Sequence, residues 1–195
     1  MACGSPSALQ DRFGRRITYV RLSLTDRCDM RCRYCMAEDM TFLPRADILS
    51  LEEFARLARG LVARGVTRLR LTGGEPLVRR GVTDLAKDIG AMIGHGLDEL
   101  TMTTNGARLA AHADALWDAG LRRLNISLDS RDPARFGHVT RVGQLADVLD
   151  GIAAAKARGF AIKINMVALN GINHDEIPDM LAWCCAEGFD LSLIE

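Results

Sequence analysis

Along five short stretches of the chain, apolar and polar residues alternate with a period of two. In 17–25, Val20, Leu22 and Leu24 share one face, and Arg21, Ser23 and Thr25 share the other. The same rhythm sets Leu69 and Leu71 against Arg68, Arg70 and Thr72 in 66–72. It recurs in 99–104, in 121–129 (Leu124, Ile126 and Leu128 opposite Arg123, Asn125, Ser127 and Asp129), and in 160–168 (Ile162, Ile164 and Met166 opposite Lys163 and Asn165). Each stretch is therefore a predicted strand with one buried and one polar face. Between the strands, apolar residues recur at helical spacing. Leu51, Phe54, Leu57, Ala58 and Leu61 form a stripe that starts at a Ser50/Glu53 capping box and stops at Gly65. Further helices are predicted over 82–93, 107–118, 143–158 and 175–187, and 190–195 reads as a sixth strand cut off by the end of the chain.

The order is strand–helix repeated five times, then a strand. Such a repeat builds parallel strands joined by right-handed crossovers, in an α/β barrel or an open doubly wound sheet. A closed barrel fills its interior with branched apolar residues, and a doubly wound sheet is apolar on both faces. Here every complete strand has a polar face. An incomplete α/β barrel, with helices on the apolar side and a wet concavity on the other, satisfies that pattern.

Composition narrows the function. The chain has 195 residues, with 25 Lys and Arg against 25 Asp and Glu. That balance argues against a general nucleic-acid-binding surface, which needs a basic excess. No apolar run reaches membrane-spanning length, and the N-terminus lacks the apolar core of a signal peptide. A membrane partner is not expected, and the expected compartment is the reducing cytoplasm. Residues 1–16, rich in Gly, Ser, Pro and Arg, read as a flexible arm, and 17–195 as the barrel core.

Three of the six cysteines, Cys28, Cys32 and Cys35, fall within eight residues, directly after the first strand. Three thiolates from one loop can ligate one metal centre. Structural zinc and electron-transfer cubanes generally use four protein ligands. No fourth cysteine lies nearby, so the spacing suggests a centre with one open position. Cys184 and Cys185, in the last predicted helix, read as small buried hydrophobes, and Cys3 as incidental.

Active sites of parallel α/β folds gather at the C-terminal strand ends. The cysteine loop, Gly73-Gly74-Glu75, Thr103-Thr104-Asn105 and Ser127-Leu128-Asp129 all fall there. The paired glycines, beside that loop, suit close backbone approach to a ligand. Arg21, Arg70 and Lys163 are three cations expected on the inward face. Three buried like charges repel strongly unless an anion joins them, so a phosphate- or carboxylate-bearing substrate is expected.

The C-x3-C-x2-C spacing, with Tyr34 before the last cysteine, resembles the signature of the radical S-adenosylmethionine superfamily. Further segments, from Asp11-Arg12-Phe13-Gly14-Arg15 through Leu22–Cys28, Arg70–Leu77 and Thr103–Gly106 to Asn125–Asp129, resemble the GTP 3′,8-cyclases of molybdenum cofactor biosynthesis. The resemblance implies a partial (β/α)6 TIM-like barrel. It implies a [4Fe–4S] cluster on Cys28, Cys32 and Cys35, with S-adenosylmethionine on the open iron, contacted by Tyr34, Gly73, Gly74, Glu75 and Ser127. It implies contacts to GTP from Arg21, Arg70, Thr103 and Lys163. The implied reaction uses a 5′-deoxyadenosyl radical to turn GTP into (8S)-3′,8-cyclo-7,8-dihydroguanosine 5′-triphosphate, a lyase reaction.

In that family the chain continues well beyond this point, with three more cysteines that hold a second [4Fe–4S] cluster. This sequence does not supply them, so cluster and cofactor binding are expected of it, with little or no cyclisation. GTP and a reductant for the cluster are the expected partners, with a homodimer as a candidate assembly. The alternatives are a radical enzyme with a different substrate, and a non-catalytic iron–sulfur module.

Overall fold

The computed structural model describes residues 8–37 and 39–195. Six strands, β1 (Tyr19–Ser23), β2 (Arg68–Thr72), β3 (Glu99–Thr104), β4 (Arg123–Ser127), β5 (Ala161–Val167) and β6 (Asp190–Ile194), form one sheet in the order β1-β2-β3-β4-β5-β6. All five pairings are parallel. A doubly wound sheet reverses its strand order at a switch point. This one never reverses. Successive right-handed crossovers that always step in the same direction keep the helices on one side, as in a barrel. The other face is concave. Thr101 and Asn125, on its central strands, are buried although no helix covers them, whereas Arg21 at the β1 edge is exposed.

The helices are α1 (Leu51–Ala63), α2 (Val82–Gly90), α3 (Ala113–Asp118), α4 (Pro133–Thr140), α5 (Leu145–Arg158) and α6 (Ile177–Glu187). Ser50 caps α1 as expected. Its side chain accepts from the Glu53 amide, and the Glu53 carboxylate accepts from the Ser50 amide. The strand faces carrying Leu22, Leu69, Leu71, Met102, Leu124, Ile126, Ile164 and Met166 meet Phe54, Ala58, Leu85, Ile89, Val148 and Ala155 of the helices in one continuous core. Each of the Leu, Ile, Val, Phe and Met side chains contributes about 1.5–3 kcal/mol by leaving water.

The structure departs from the expected elements in several places. Strands β1, β2, β4 and β5 are shorter than the alternation implies, because pairing ends before the pattern does, whereas β3 has the expected bounds. The stretch 107–118 divides into a 3-10 turn, Leu109–Ala111, and α3. Helix α4 was not expected. Asp132 caps it by accepting from the Arg135 amide at 2.8 Å, with Pro133 in the first turn, a start signal that the sequence does contain.

Residues 8–16, expected to belong to a flexible arm, instead form a closed turn. The Asp11 carboxylate accepts from the Phe13 and Arg15 amides and pairs with Arg15 Nε at 2.7 Å. Leu9 ties the turn to α1 through Arg64 and to Ile17. Cys3 and the rest of the expected arm lie outside the described residues.

Candidate functional site

Every segment that holds the cysteine loop comes from a C-terminal strand end. Helix α4, just beyond β4, ends against the loop. The Arg31 and Arg33 amides donate to the carbonyls of Thr140 and Val139, both at 3.0 Å, and Arg33 Nε donates to His138 O at 2.7 Å. Arg141, immediately after α4, has φ 65°, unusual for a residue with a side chain. From there its guanidinium donates back to the carbonyls of Arg31 and Met36. Met30 is buried beneath the loop. On the β3 side, Asn105 Nδ2 donates to Asp29 Oδ1 at 2.7 Å and lies 3.8 Å from Cys28 Sγ, and Arg108 pairs with the other Asp29 oxygen at 2.7 Å.

Tyr34 sits between two of the cysteines, and its hydroxyl donates to Asp129 Oδ2 at 2.7 Å. Asp129 Oδ1 accepts from the Val167 amide at 2.9 Å, so one buried carboxylate joins the cysteine loop, the end of β4 and the end of β5. Asn173 completes the junction by donating to the carbonyls of Asp129 and Val167. Burial pushes the Asp129 pKa up, opposed by its hydrogen bonds to Tyr34 and Val167. Burial also raises the Tyr34 phenol, and the charge of Asp129 adds to this, so the hydroxyl stays protonated as donor.

The glycine pair has a different reason from the one expected. A Cβ on Gly74 would stand 2.5 Å from Arg27 O, and one on Gly73 2.6 Å from Thr25 O. The close approach is therefore to the backbone that leads into the cysteine loop. Gly74 and Glu75 donate their amides to Thr25 O and Arg27 O at 2.6 and 2.8 Å. Gly73, at φ 154°, remains exposed on its outer side and can present backbone to a ligand.

Glu75, expected among the cofactor contacts, is fully buried. Its carboxylate accepts from the Leu77 amide, the Thr104 hydroxyl and the Asn105 amide, at 2.9, 2.8 and 2.6 Å. It fastens the end of β3 to the end of β2 and thereby places Asn105 beside Cys28. Burial lifts its pKa to about 7, against the pull of those hydrogen bonds.

Among the described residues, no cation is a leading influence on the Cys28 or Cys32 thiol. Burial raises the pKa of Cys28. Burial, and then the charges of Asp129, Cys28 and Cys35, push Cys32 up to about 12. Raised thiols at Cys28 and Cys32 suit metal ligands, which lose their protons on binding, better than free nucleophiles. Among the described residues, no three His, Cys, Asp or Glu side chains close on one point as ligands of a single ion would. A cubane distributes its cysteines over separate irons, so three thiols of one loop that feel each other's charge fit that group. Cys184 is buried as expected, but Cys185 is exposed on the outer side of α6.

Below this rim lies the concave face. Arg21 and Arg70 are direct cross-strand partners on β1 and β2. Thr103 on β3 and Lys163 on β5 both pair in register with Asn125 of β4. Ser127 sits closer to the rim on β4, and its hydroxyl makes no hydrogen bond among the described residues. The expectation of three buried cations needs correction. Arg21 is exposed, and Arg70 and Lys163 are half-buried, so water moderates their repulsion. Arg70 donates to Thr101 Oγ1 at 3.3 Å and lies over the Tyr19 ring. Among the described residues none of the three cations has an acidic partner, whereas Arg123 on the same face sits within 4 Å of Glu99 and Asp190. The Thr103 hydroxyl is buried and has no hydrogen-bond partner among the described residues. A buried hydroxyl left unpaired in the protein is a cost that a ligand on this face would remove.

Asn105 and Asp129 were expected at the rim without an assigned role, and Arg141 and helix α4 were not expected at the site. The Asp132-Pro133 start signal could have revealed α4. Nothing in the local sequence says that Asp129 and Tyr34 meet.

The chain matches the radical SAM superfamily over residues 22–184. A GTP 3′,8-cyclase of Erythrobacter litoralis is 59% identical over 189 residues, covering 97% of this chain and 57% of that protein. One from Rhizobium etli is 54% identical over 185 residues, 95% of this chain and 53% of the relative. The chain thus spans about half the length of the curated relatives it matches. Among solved structures, SuiB of Streptococcus suis bound to S-adenosylmethionine superposes with a TM-score of 0.76 at 18% identity, over 91% of this chain and 40% of that one. The AdoMet-bound structure of anSMEcpe gives 0.70 at 14% identity, over 91% and 51%.

Proposed function

Because the chain belongs to the radical SAM superfamily, we propose that it is the barrel part of a GTP 3′,8-cyclase, which binds a [4Fe–4S] cluster, S-adenosylmethionine and the triphosphate of GTP. One observation carries this reading. The Tyr34–Asp129 bond sets the three-cysteine loop on the rim of the same concave face that presents Arg21, Arg70, Thr103 and Lys163.

When bound, the cluster and S-adenosylmethionine supply the electron and the hydrogen-abstracting radical. The chain's own residues bind, orient and exclude water. Cys28, Cys32 and Cys35 hold the cluster. Tyr34, the outer side of Gly73 and Gly74, and Ser127 line the cofactor's place, with Glu75 acting from behind as a positioning residue. Arg21, Arg70 and Lys163 meet the phosphates, where guanidinium forks give directional contacts. Thr103 donates its unpaired hydroxyl to the bound nucleotide. Fixing the nucleotide this way turns a radical encounter into an effectively intramolecular reaction.

The complete cyclisation belongs to the full-length protein, because the chain covers only part of its relatives. The reductant, a cytoplasmic location and a homodimer belong to the same reading. Among the described residues, no helix is long and apolar enough to cross a membrane.

The test is anaerobic reconstitution with iron and sulfide, reduction, and mass-spectrometric detection of 5′-deoxyadenosine with and without GTP, with Cys32→Ala as control. Cluster-dependent product that rises with GTP is the expected result. Product indifferent to GTP would point to a radical enzyme with another substrate. A loaded cluster without product would point to a non-catalytic iron–sulfur module.

A further inference from the structure

A cleft of about 600 Å³ opens beside the start of α1, and none of Arg21, Arg70, Thr103 and Lys163 lines it. Its walls come from the segment just after β1 (Leu24 and Arg27), the start of α1 (Ser50), the preceding segment (Arg45) and the turn after Glu75 (Arg79 and Arg80). Four guanidiniums face one cleft whose lining contains no carboxylate. Among the described residues, none of the four makes an ion pair. In a chain with equal numbers of acids and bases, that concentration of charge requires an explanation.

Arg79 has a local one. Its guanidinium donates to the carbonyls of Leu24 and Leu49 and so joins the cysteine-loop approach to the segment before α1. Burial, and then the charge of Arg45, hold its pKa down, while Glu52, outside the cleft lining, offsets part of that repulsion. Arg27 lies over the Phe42 ring, 5.8 Å from its centroid. Arg45 and Arg80 are exposed at the mouth, and their side chains make no hydrogen bond or ion pair among the described residues. Packing explains Arg79 and part of Arg27, and leaves Arg45 and Arg80 unexplained.

We propose that this cleft is a second anion site, separate from the concave face, which takes a small molecule bearing a diphosphate or longer phosphate chain. Guanidiniums spread around a cleft of this size match several phosphoryl groups better than one, since each fork can take a separate pair of oxygens. The cleft volume lies within the range of small-molecule sites. The occupant would neutralise Arg45 and Arg79 together and brace Leu24–Arg27, the segment that runs directly into Cys28. The site therefore couples phosphate binding to the order of the cysteine loop without touching the concave face.

The test is calorimetric titration of the full chain with pyrophosphate at fixed ionic strength. Three double variants accompany it. Arg45→Gln/Arg80→Gln empties the mouth of the cleft, and Arg21→Gln/Lys163→Gln empties the concave face. Arg56→Gln/Arg59→Gln removes two exposed charges from α1 as a control for net charge. All six positions are exposed or half-buried, and thermal melts confirm folding. The expected result is a pyrophosphate site weakened at least tenfold by the first variant and kept by the other two. Amide exchange over 24–27 should slow on adding pyrophosphate to the parent and not to the first variant. Unchanged binding in Arg45→Gln/Arg80→Gln, binding lost only with Arg21→Gln/Lys163→Gln, or equal weakening by Arg56→Gln/Arg59→Gln would each overturn the proposal. Failure here leaves the concave-face reading intact, because that face is read out by its own variant.

Discussion

The Tyr34 hydroxyl lies 2.7 Å from Asp129 Oδ2, although 95 residues separate the two in the chain. This bond fastens the cysteine loop after β1 to the end of β4, and through the Val167 amide to the end of β5.

Replacing Asp129 with Asn tests that junction. The carboxylate accepts from two donors on separate oxygens, Tyr34 and the Val167 amide. An amide has one acceptor oxygen, so one donor must face an NH2 group. A buried donor left without a partner costs about 1–3 kcal/mol. Urea unfolding of Asp129→Asn should show a loss in that range, and its iron content after reconstitution should fall below the parent's. Parental stability and iron content would remove Asp129 from the account.

Glu75 sets an unusual pH dependence. Its pKa rises from an ordinary 4.5 to about 7 in the fold, mainly through burial. An acid whose folded pKa is raised binds more protons folded than unfolded between those two values, so stability falls as pH rises through that window and is level above it. At about 1.4 kcal/mol per unit, the change amounts to about 3 kcal/mol. Denaturation midpoints from pH 4.5 to 8 should show this decline, and Glu75→Gln should remove it. A slope of the opposite sign in the parent would show that the hydrogen bonds from Leu77, Thr104 and Asn105 outweigh burial.

Gly74→Ala should be among the most damaging small substitutions in the chain. The added methyl meets the backbone of Asp26 and Arg27 at 2.5–2.7 Å, and backbone cannot step aside as a flexible side chain can. Overpacking of this kind costs about 1–3 kcal/mol. The displaced segment is the approach to Cys28, so cluster absorbance should drop together with stability. Gly60→Ala, inside α1 where nothing lies within 4 Å, is the control: cluster absorbance should be unchanged, and stability should hold or rise by about 0.5–1 kcal/mol.

Thr103 and Lys163 separate binding from folding. Thr103→Val removes a buried hydroxyl that has no partner, so stability should hold or improve by about 1 kcal/mol. Both Thr103→Val and Lys163→Gln should nevertheless weaken GTP binding, by about tenfold each, if the concave face holds the nucleotide. Stability that drops on Thr103→Val, with GTP binding unchanged, would make Thr103 a packing residue.

Much of the architecture could be read directly from the chain. The alternation that puts Leu22 and Leu24 opposite Arg21 and Ser23, and its repeats, reflects backbone geometry that is the same wherever a strand forms. The Ser50/Glu53 cap and the C-x3-C-x2-C spacing are equally local. For that reason the six strands, the first helix and the three cysteines lie where the sequence places them. Helix α4 was missed because its two turns carry a weak apolar stripe, and its role rests on the carbonyls it turns toward Arg31 and Arg33 rather than on its side chains.

Only the tertiary structure decided what these pieces do to one another. The strand order, which never reverses, turned the polar faces into one concave wall. It brought Asp129 to Tyr34 and Asn105 to Cys28, it showed that Glu75 faces inward, and it left Arg21 open to water. It also revealed that the glycine pair makes room for the Thr25–Arg27 backbone. The physical reason is range. Periodicity and caps arise from neighbours within a few residues, whereas a hydrogen bond between residues far apart in sequence depends on how every intervening element is packed.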